Sequence, residues 1–109
     1  MSKTILITGA GSGFGKGAAV ELADRGHDVI ASTETQEQAD ALAAAHPGLR
    51  TMKLDVTDAA DIAGAADLGV DVLINNAGVG IMGPIATTPM EKVRLSFEVN
   101  VFGMVALSQ

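Results

Sequence analysis

The chain contains no cysteine and no tyrosine, and its only aromatic residues are three phenylalanines. Without Cys there are no disulfides and no thiolate metal sites. Without Tyr there is no phenol to serve as a general acid or base. Charge is scarce as well: Asp, Glu, Lys and Arg make up 18% of the residues, against ~25% in a typical domain. Net charge is −6, and the seven basic residues are scattered, so no electrostatic footprint for nucleic acid exists. No apolar run approaches the ~20 residues of a membrane span. Ile5-Leu6-Ile7 behind a single Lys is too short for a signal peptide. These absences lead to the expectation of a cytoplasmic protein with neither a nucleic-acid nor a membrane partner. His27 and His46 stand in a turn and near a helix end with no third ligand nearby, so no metal site is expected.

Hydrophobic residues make up 48% of the 109, a large share for a small chain with much surface per residue. Two explanations fit together. The elements are buried on both faces, as in a parallel sheet, and the chain lacks surface cover that it was built to have.

What is plentiful is glycine, and four of the thirteen alternate at Gly9, Gly11, Gly13 and Gly15. They follow the short apolar run Ile5-Leu6-Ile7 and precede an alanine-rich helical pattern. Such a turn lets backbone N–H groups approach a phosphate at the positive end of the following helix. A bare strand-to-helix turn would need only one or two glycines. The strict Gly-x-Gly-x-x-Gly fingerprint fails from Gly9, because position 14 is Phe14, and from Gly11, because position 16 is Lys16. The pattern that fits is Thr-Gly-x-x-x-Gly-x-Gly, filled by Thr8, Gly9, Gly13 and Gly15.

Strand and helix signals alternate along the rest of the chain. Thr4–Thr8, Asp28–Thr33, Leu49–Val56 and Val70–Asn75 read as strands. Phe14, Ala18 and Leu22, with Ala19 and Ala23, form a helical stripe ending before Gly26. Thr35 and Gln38 make a capping box for a helix that Pro47-Gly48 stops. A short helix is expected over Asp58–Ala66. Strands joined by helical crossovers imply right-handed βαβ units. The expected fold is therefore α/β with a parallel sheet, in one domain over residues 1–109. In Thr88-Pro89-Met90-Glu91, Thr88 reads as an N-cap, Pro89 as the first helical residue and Glu91 as the third. Met90, Val93, Phe97, Val101 and Met104 then hold an apolar stripe towards Gln109, past Gly103 and without a stop signal. The sequence reads as cut in mid-helix.

The glycine loop, Asp55-Val56, Asn75-Asn76-Ala77-Gly78 and Asn100 together resemble the short-chain dehydrogenase/reductase family over nearly the whole chain. The resemblance implies a Rossmann-type doubly wound parallel sheet in the order 3-2-1-4, truncated after the fourth strand so that residues 1–109 form a partial domain. It also implies a nicotinamide dinucleotide cofactor. Gly9, Ser12, Gly13, Phe14 and Gly15 would form its loop, and Asp55 with the Val56 N–H would meet the adenine. Asn76, Ala77 and Gly78 would shape the cofactor wall. It further implies that Asn100 belongs to a catalytic tetrad, distorting its helix and holding a water in a proton relay. A small carbonyl or alcohol substrate, and homo-oligomerisation through the terminal helix, are implied in the same way. Blander readings stand beside these: Asp55 and Thr57-Asp58 capping a helix, Asn-Ala-Gly as a plain turn, Asn100 facing solvent.

The family's remaining tetrad members, a Ser and a Tyr-x-x-x-Lys pair, have no match here, and Ser96 and Ser108 lie in the wrong context. The chain alone is therefore expected to be inactive. For the cofactor, Glu34 lies 21 residues after Gly13, and no Lys or Arg follows the second strand before Arg50. An acid there accepts ribose hydroxyls and repels a 2′-phosphate, which favours NAD without excluding NADP. The family's usual NAD-selecting Asp aligns with Thr33 instead. Two rival readings remain: a stand-alone, non-catalytic nucleotide-binding or interaction module, and a methyltransferase-like Rossmann fold. The latter gives no reason for Asn-Asn-Ala-Gly or Asn100.

Overall fold

The computed structural model describes residues 2–80 and 83–109. Four parallel strands, β1 (Thr4–Ile7), β2 (Asp28–Thr33), β3 (Arg50–Lys53) and β4 (Val72–Ile74), form one sheet in the order β3-β2-β1-β4. This is the order that the family resemblance implies. Three helices fill the crossovers: α1 (Gly13–Asp24), α2 (Gln36–Ala45) and α3 (Ala59–Ala65). After β4 the chain forms α4 (Met90–Phe97), a π-helical turn (Glu98–Gly103) and α5 (Met104–Ser108) without a break between them.

The two-residue period of the strands builds a core on both sides of the sheet. Ile5, Ile7, Val29 and Ala31 face α1 and α2, where Ala19, Leu22 and Leu42 pack against them. Leu6 and Ile30 point the other way, towards Leu54, Val56, Leu73, Val99 and Leu107. The apolar runs of β1 and β2 are continuous because both of their faces are covered. The capping box on α2 is present, with the Thr35 hydroxyl accepting from the Gln38 N–H and the Gln38 side chain accepting from the Thr35 N–H, each at 3.2 Å.

Four expectations need correction. β3 ends at Lys53 rather than Val56, and β4 is confined to Val72–Ile74. Phe14 does not join the buried stripe of α1, for it is 93% exposed. It occupies the first turn, beyond the end of the sheet that Ala18, Ala19, Leu22 and Ala23 cover. Thr88 does not cap α4. Its hydroxyl donates back to the Pro84 carbonyl at 2.8 Å, and Pro89 holds the N-cap position.

Among the described residues, both sheet edges, β3 and β4, and part of the final helix remain uncovered. β4 pairs with β1 on one side only, and Phe97, Val101, Phe102 and Met104 are exposed along the final helix. An edge strand with unpaired backbone groups templates association. Each large side chain left in water forgoes about 1.5–3 kcal/mol relative to burial. The 109-residue chain is therefore expected to self-associate in sedimentation experiments, and Phe97→Glu with Val101→Lys should reduce that association. A soluble monomer with one sharp thermal transition would contradict the expectation.

Candidate functional site

The site starts from a buried threonine at the C-terminal end of β1. Thr8 is fully buried, and its N–H donates to the Ile74 carbonyl at 3.1 Å. Its hydroxyl oxygen accepts from the N–H groups of Asn76 (3.1 Å) and Ala77 (3.0 Å). The Asn76 side-chain amide returns the tie by donating to the Gly9 carbonyl at 3.1 Å. The Ala10 N–H meanwhile reaches the Ser32 carbonyl of β2 at 2.9 Å. The glycine loop is thereby held to the strands on both sides of β1.

This packing sets Gly9 and Gly15 apart from Gly13. Gly9 has φ +64°, and a Cβ there would stand 2.8 Å from the Ala77 Cα. A Cβ on Gly15 would overlap the Asn76 amide nitrogen and lie 2.7 Å from the Gly9 carbonyl oxygen. Both are required by close backbone approach. Around Gly13, by contrast, nothing lies within 4 Å of where a Cβ would stand. Ser12 precedes it in extended conformation as the N-cap of α1, and its side chain makes no capping bond. The first-turn N–H groups of α1, which have no partner within the helix, are left open to a ligand.

Two adjoining clefts run along the C-terminal ends of the strands. One, of about 340 Å³, is lined by Ser12, Gly13 and Phe14 together with Glu34, Asn76 and Gly78. The second, of about 100 Å³, is bounded by Glu34, Asp55, Val56, Ala77 and Gly78. Gly9, Glu34 and Gly78 border both. Every site residue expected from the sequence lines one of them except Gly15 and Asn100. The clefts lie at the point where the strand order reverses, between β1 and its neighbours, which is where open α/β sheets bind ligands. A larger cleft of about 540 Å³ lies elsewhere, between α3, β4 and α5.

Asp55 follows β3 in a tight turn. Its Oδ1 accepts from the Thr57 N–H (2.9 Å) and the Thr57 hydroxyl (2.7 Å), and its Oδ2 accepts nothing among the described residues. The N-cap of α3 is Asp58, which accepts from the Ala60 N–H at 2.9 Å. The capping role therefore falls to Asp58 and leaves Asp55 at the cleft. Behind it, Asp61 accepts from the Lys53 ammonium (2.7 Å) and from the Asp55 N–H (2.9 Å). The hydrogen bond from Lys53, and then the Asp55 N–H, hold the Asp61 carboxyl below the usual Asp range. The hydrogen bond to Asp61 in turn raises Lys53.

Asn100 does not face solvent. Its Oδ1 accepts from the Val79 N–H, and its Nδ2 donates to the Val79 carbonyl, both at 2.8 Å. A further bond runs from Nδ2 to the Ser96 hydroxyl at 3.2 Å. The side chain thus clamps the segment that follows β4, and the helix widens into its π-helical turn around it. Gly103 lets that turn dock: a Cβ there would stand 2.5 Å from the Val56 carbonyl oxygen. Neither Val79 nor Gly103 was expected from the sequence. Ser96 carried a signal, since it precedes Asn100 by four residues and so shares its helix face.

A sequence model described as short chain dehydrogenase matches residues 3–109. An uncharacterized oxidoreductase of Bacillus subtilis (strain 168), YusZ, is 42% identical over 118 residues, covering 98% of this chain and 42% of its own length. A short-chain dehydrogenase from Streptomyces avermitilis superposes with a TM-score of 0.88 at 39% identity, covering 99% of this chain and 42% of that one. A short-chain dehydrogenase from Sphingobium yanoikuyae in complex with NADPH gives 0.84 at 32% identity, covering 97% and 45%. The chain spans less than half the length of these relatives. It belongs to the short-chain dehydrogenase family.

The Thr8 junction is testable through stability. Thr8→Val keeps the shape of the side chain but leaves the Asn76 and Ala77 N–H groups without their acceptor. A loss of about 1–2 kcal/mol is expected in denaturant unfolding, the cost of orphaning two half-buried donors beside a buried side chain. A change within the noise of the measurement would mean that water replaces the hydroxyl and that the junction does not hold the loop.

Proposed function

We propose that this short-chain dehydrogenase chain is the dinucleotide-binding part of an oxidoreductase acting between a nicotinamide cofactor and a small carbonyl or alcohol substrate. The observation that carries this reading is the open ledge at Ser12 and Gly13. There an uncapped helix N-terminus meets a cleft that continues, past Glu34, to Asp55. When bound, the nicotinamide accepts or supplies the hydride. The first-turn N–H groups of α1 hold the pyrophosphate, with the positive helix end favouring its charge. Asp55 and the Val56 N–H meet the adenine in the smaller cleft, and Asn76, Ala77 and Gly78 form the wall opposite the loop. Asn100 keeps that wall in place through Val79, with both of its N–H donors already engaged.

The chain carries no Tyr-x-x-x-Lys pair to exchange a proton with a substrate, and the two serines of its final helix are engaged with neighbouring groups. The Ser96 hydroxyl accepts from Asn100, and the Ser108 hydroxyl lies between Asn75 and the Met104 carbonyl. Dinucleotide binding without turnover is therefore expected of the 109 residues, read by equilibrium dialysis and by NAD(P)H absorbance. Gly13, at φ +60°, would be strained by any side chain, so Ser12 is the cleaner probe. Ser12→Glu adds an anion that suits the helix end but repels a pyrophosphate, and should abolish binding without loss of thermal stability. Unchanged affinity would place the ligand elsewhere.

NAD is the proposed cofactor. Glu34 is exposed and borders both clefts, where its carboxylate accepts ribose hydroxyls and opposes a 2′-phosphate. Lys53, in register with Thr33 at the end of β3, is bound to Asp61. Thr33, at the position of the family's usual selecting acid, is buried and donates to the Thr35 carbonyl. Glu34→Arg should shift the NADP-to-NAD affinity ratio at least about tenfold towards NADP, a change of about 1.4 kcal/mol. A wild-type preference for NADP would show that Glu34 does not select.

A further inference from the structure

We propose that Asp61 is a positioning residue for the adenine end of this site, acting from helix α3 through the backbone of Asp55. The inference rests on the reading that the smaller cleft takes the adenine.

Asp61 stands at the third position of α3, where a capping-box side chain would reach back to the N–H of the N-cap residue. That N–H, of Asp58, already donates to the Asp55 carbonyl at 2.9 Å. Asp61 reaches three residues further back, to the Asp55 N–H at 2.9 Å. Its own N–H is only loosely held by Asp58, at 3.4 Å. The Asp61 side chain is 20% exposed, and Lys53 closes over the same oxygen at 2.7 Å.

The turn at the cleft is thereby fixed from both ends. The Asp55 N–H is bound to Asp61, and the Asp55 carboxylate is bound to Thr57 through both N–H and hydroxyl. The strand hydrogen bonds that would otherwise set this segment stop at the Leu54 N–H, which donates to the Thr33 carbonyl at 2.8 Å. Beyond Leu54, the segment is held by the Asp55 carboxylate on Thr57, by the Asp58 N–H on the Asp55 carbonyl, and by Asp61, the charged acceptor that takes the Asp55 N–H. Lys53 neutralises Asp61 but does not touch the cleft.

The test compares the affinities of NAD and nicotinamide hypoxanthine dinucleotide, which differ only at the base, by equilibrium dialysis with the 109-residue chain. Asp61→Leu should weaken NAD about tenfold, the effect of losing a hydrogen bond to a charged acceptor, and should erase the discrimination between the two dinucleotides. Asp61→Asn keeps an acceptor oxygen and should retain discrimination, as should Lys53→Met. An Asp61→Leu protein that still discriminates, or one that weakens both dinucleotides equally, overturns the positioning role and leaves the cofactor site standing. Wild-type protein that binds neither dinucleotide overturns the cofactor reading itself. Hydrogen exchange of the ligand-free wild type decides independently of whether Asp61→Leu folds. The Asp55 amide should be protected, and rapid exchange there would refute the tie.

Discussion

A single hydroxyl, that of Thr8, joins the two halves of this site. It lies where β1 ends and the chain turns into the glycine loop, and it accepts two N–H groups from the segment that leaves β4. In a parallel sheet, neighbouring strands end side by side and their last backbone groups have no ladder partner. Buried donors left in that state cost about 1–3 kcal/mol each. Thr8 satisfies two such donors on the half-buried Asn76 and Ala77, and the Asn76 amide satisfies the Gly9 carbonyl in return. With the loop pressed against Asn76 and Ala77, Gly9 and Gly15 have no room for side chains. The ledge at Ser12 and Gly13 is what remains open.

The opposite wall is held by a second set of side-chain ties. Asn100 binds both backbone groups of Val79, and the π-helical turn around it brings Gly103 against the Val56 carbonyl. Asp61 and Thr57 fix the turn at Asp55. The walls of the two clefts therefore come from segments far apart in sequence. They meet because polar side chains take over where strand pairing stops. The family relation fits this arrangement, since the motifs that carry it are the residues making these ties or bordering the clefts.

Much of the fold was legible because its signals are local or periodic. β2 and the Thr35–Gln38 capping box need only neighbouring residues, and parallel pairing follows from strands joined by helices, while the strand order came with the family resemblance. The ends of the elements were less legible. β3 stops at Lys53 because Asp55 and Asp61 capture backbone groups that an extended strand would have paired. Thr88 is drawn to Pro84, a local competition for its hydroxyl that a capping pattern does not reveal. Within the site, the residue types were readable but their division of labour was not. Spacing alone does not tell which glycines meet backbone and which meet open space. Nor does it tell that Asn100 binds Val79 across 21 residues.

The proposed dinucleotide site runs without a break from the glycine ledge to the cleft at Asp55. Hydrogen exchange across the chain, with and without saturating NAD, tests that claim most directly. Added protection is expected over residues 9–15 and over residues 54–57 together, with little change between α3 and α5. Protection centred on the larger cleft lined by Ile62, Leu73 and Leu107, or confined to one of the two expected segments, would contradict it.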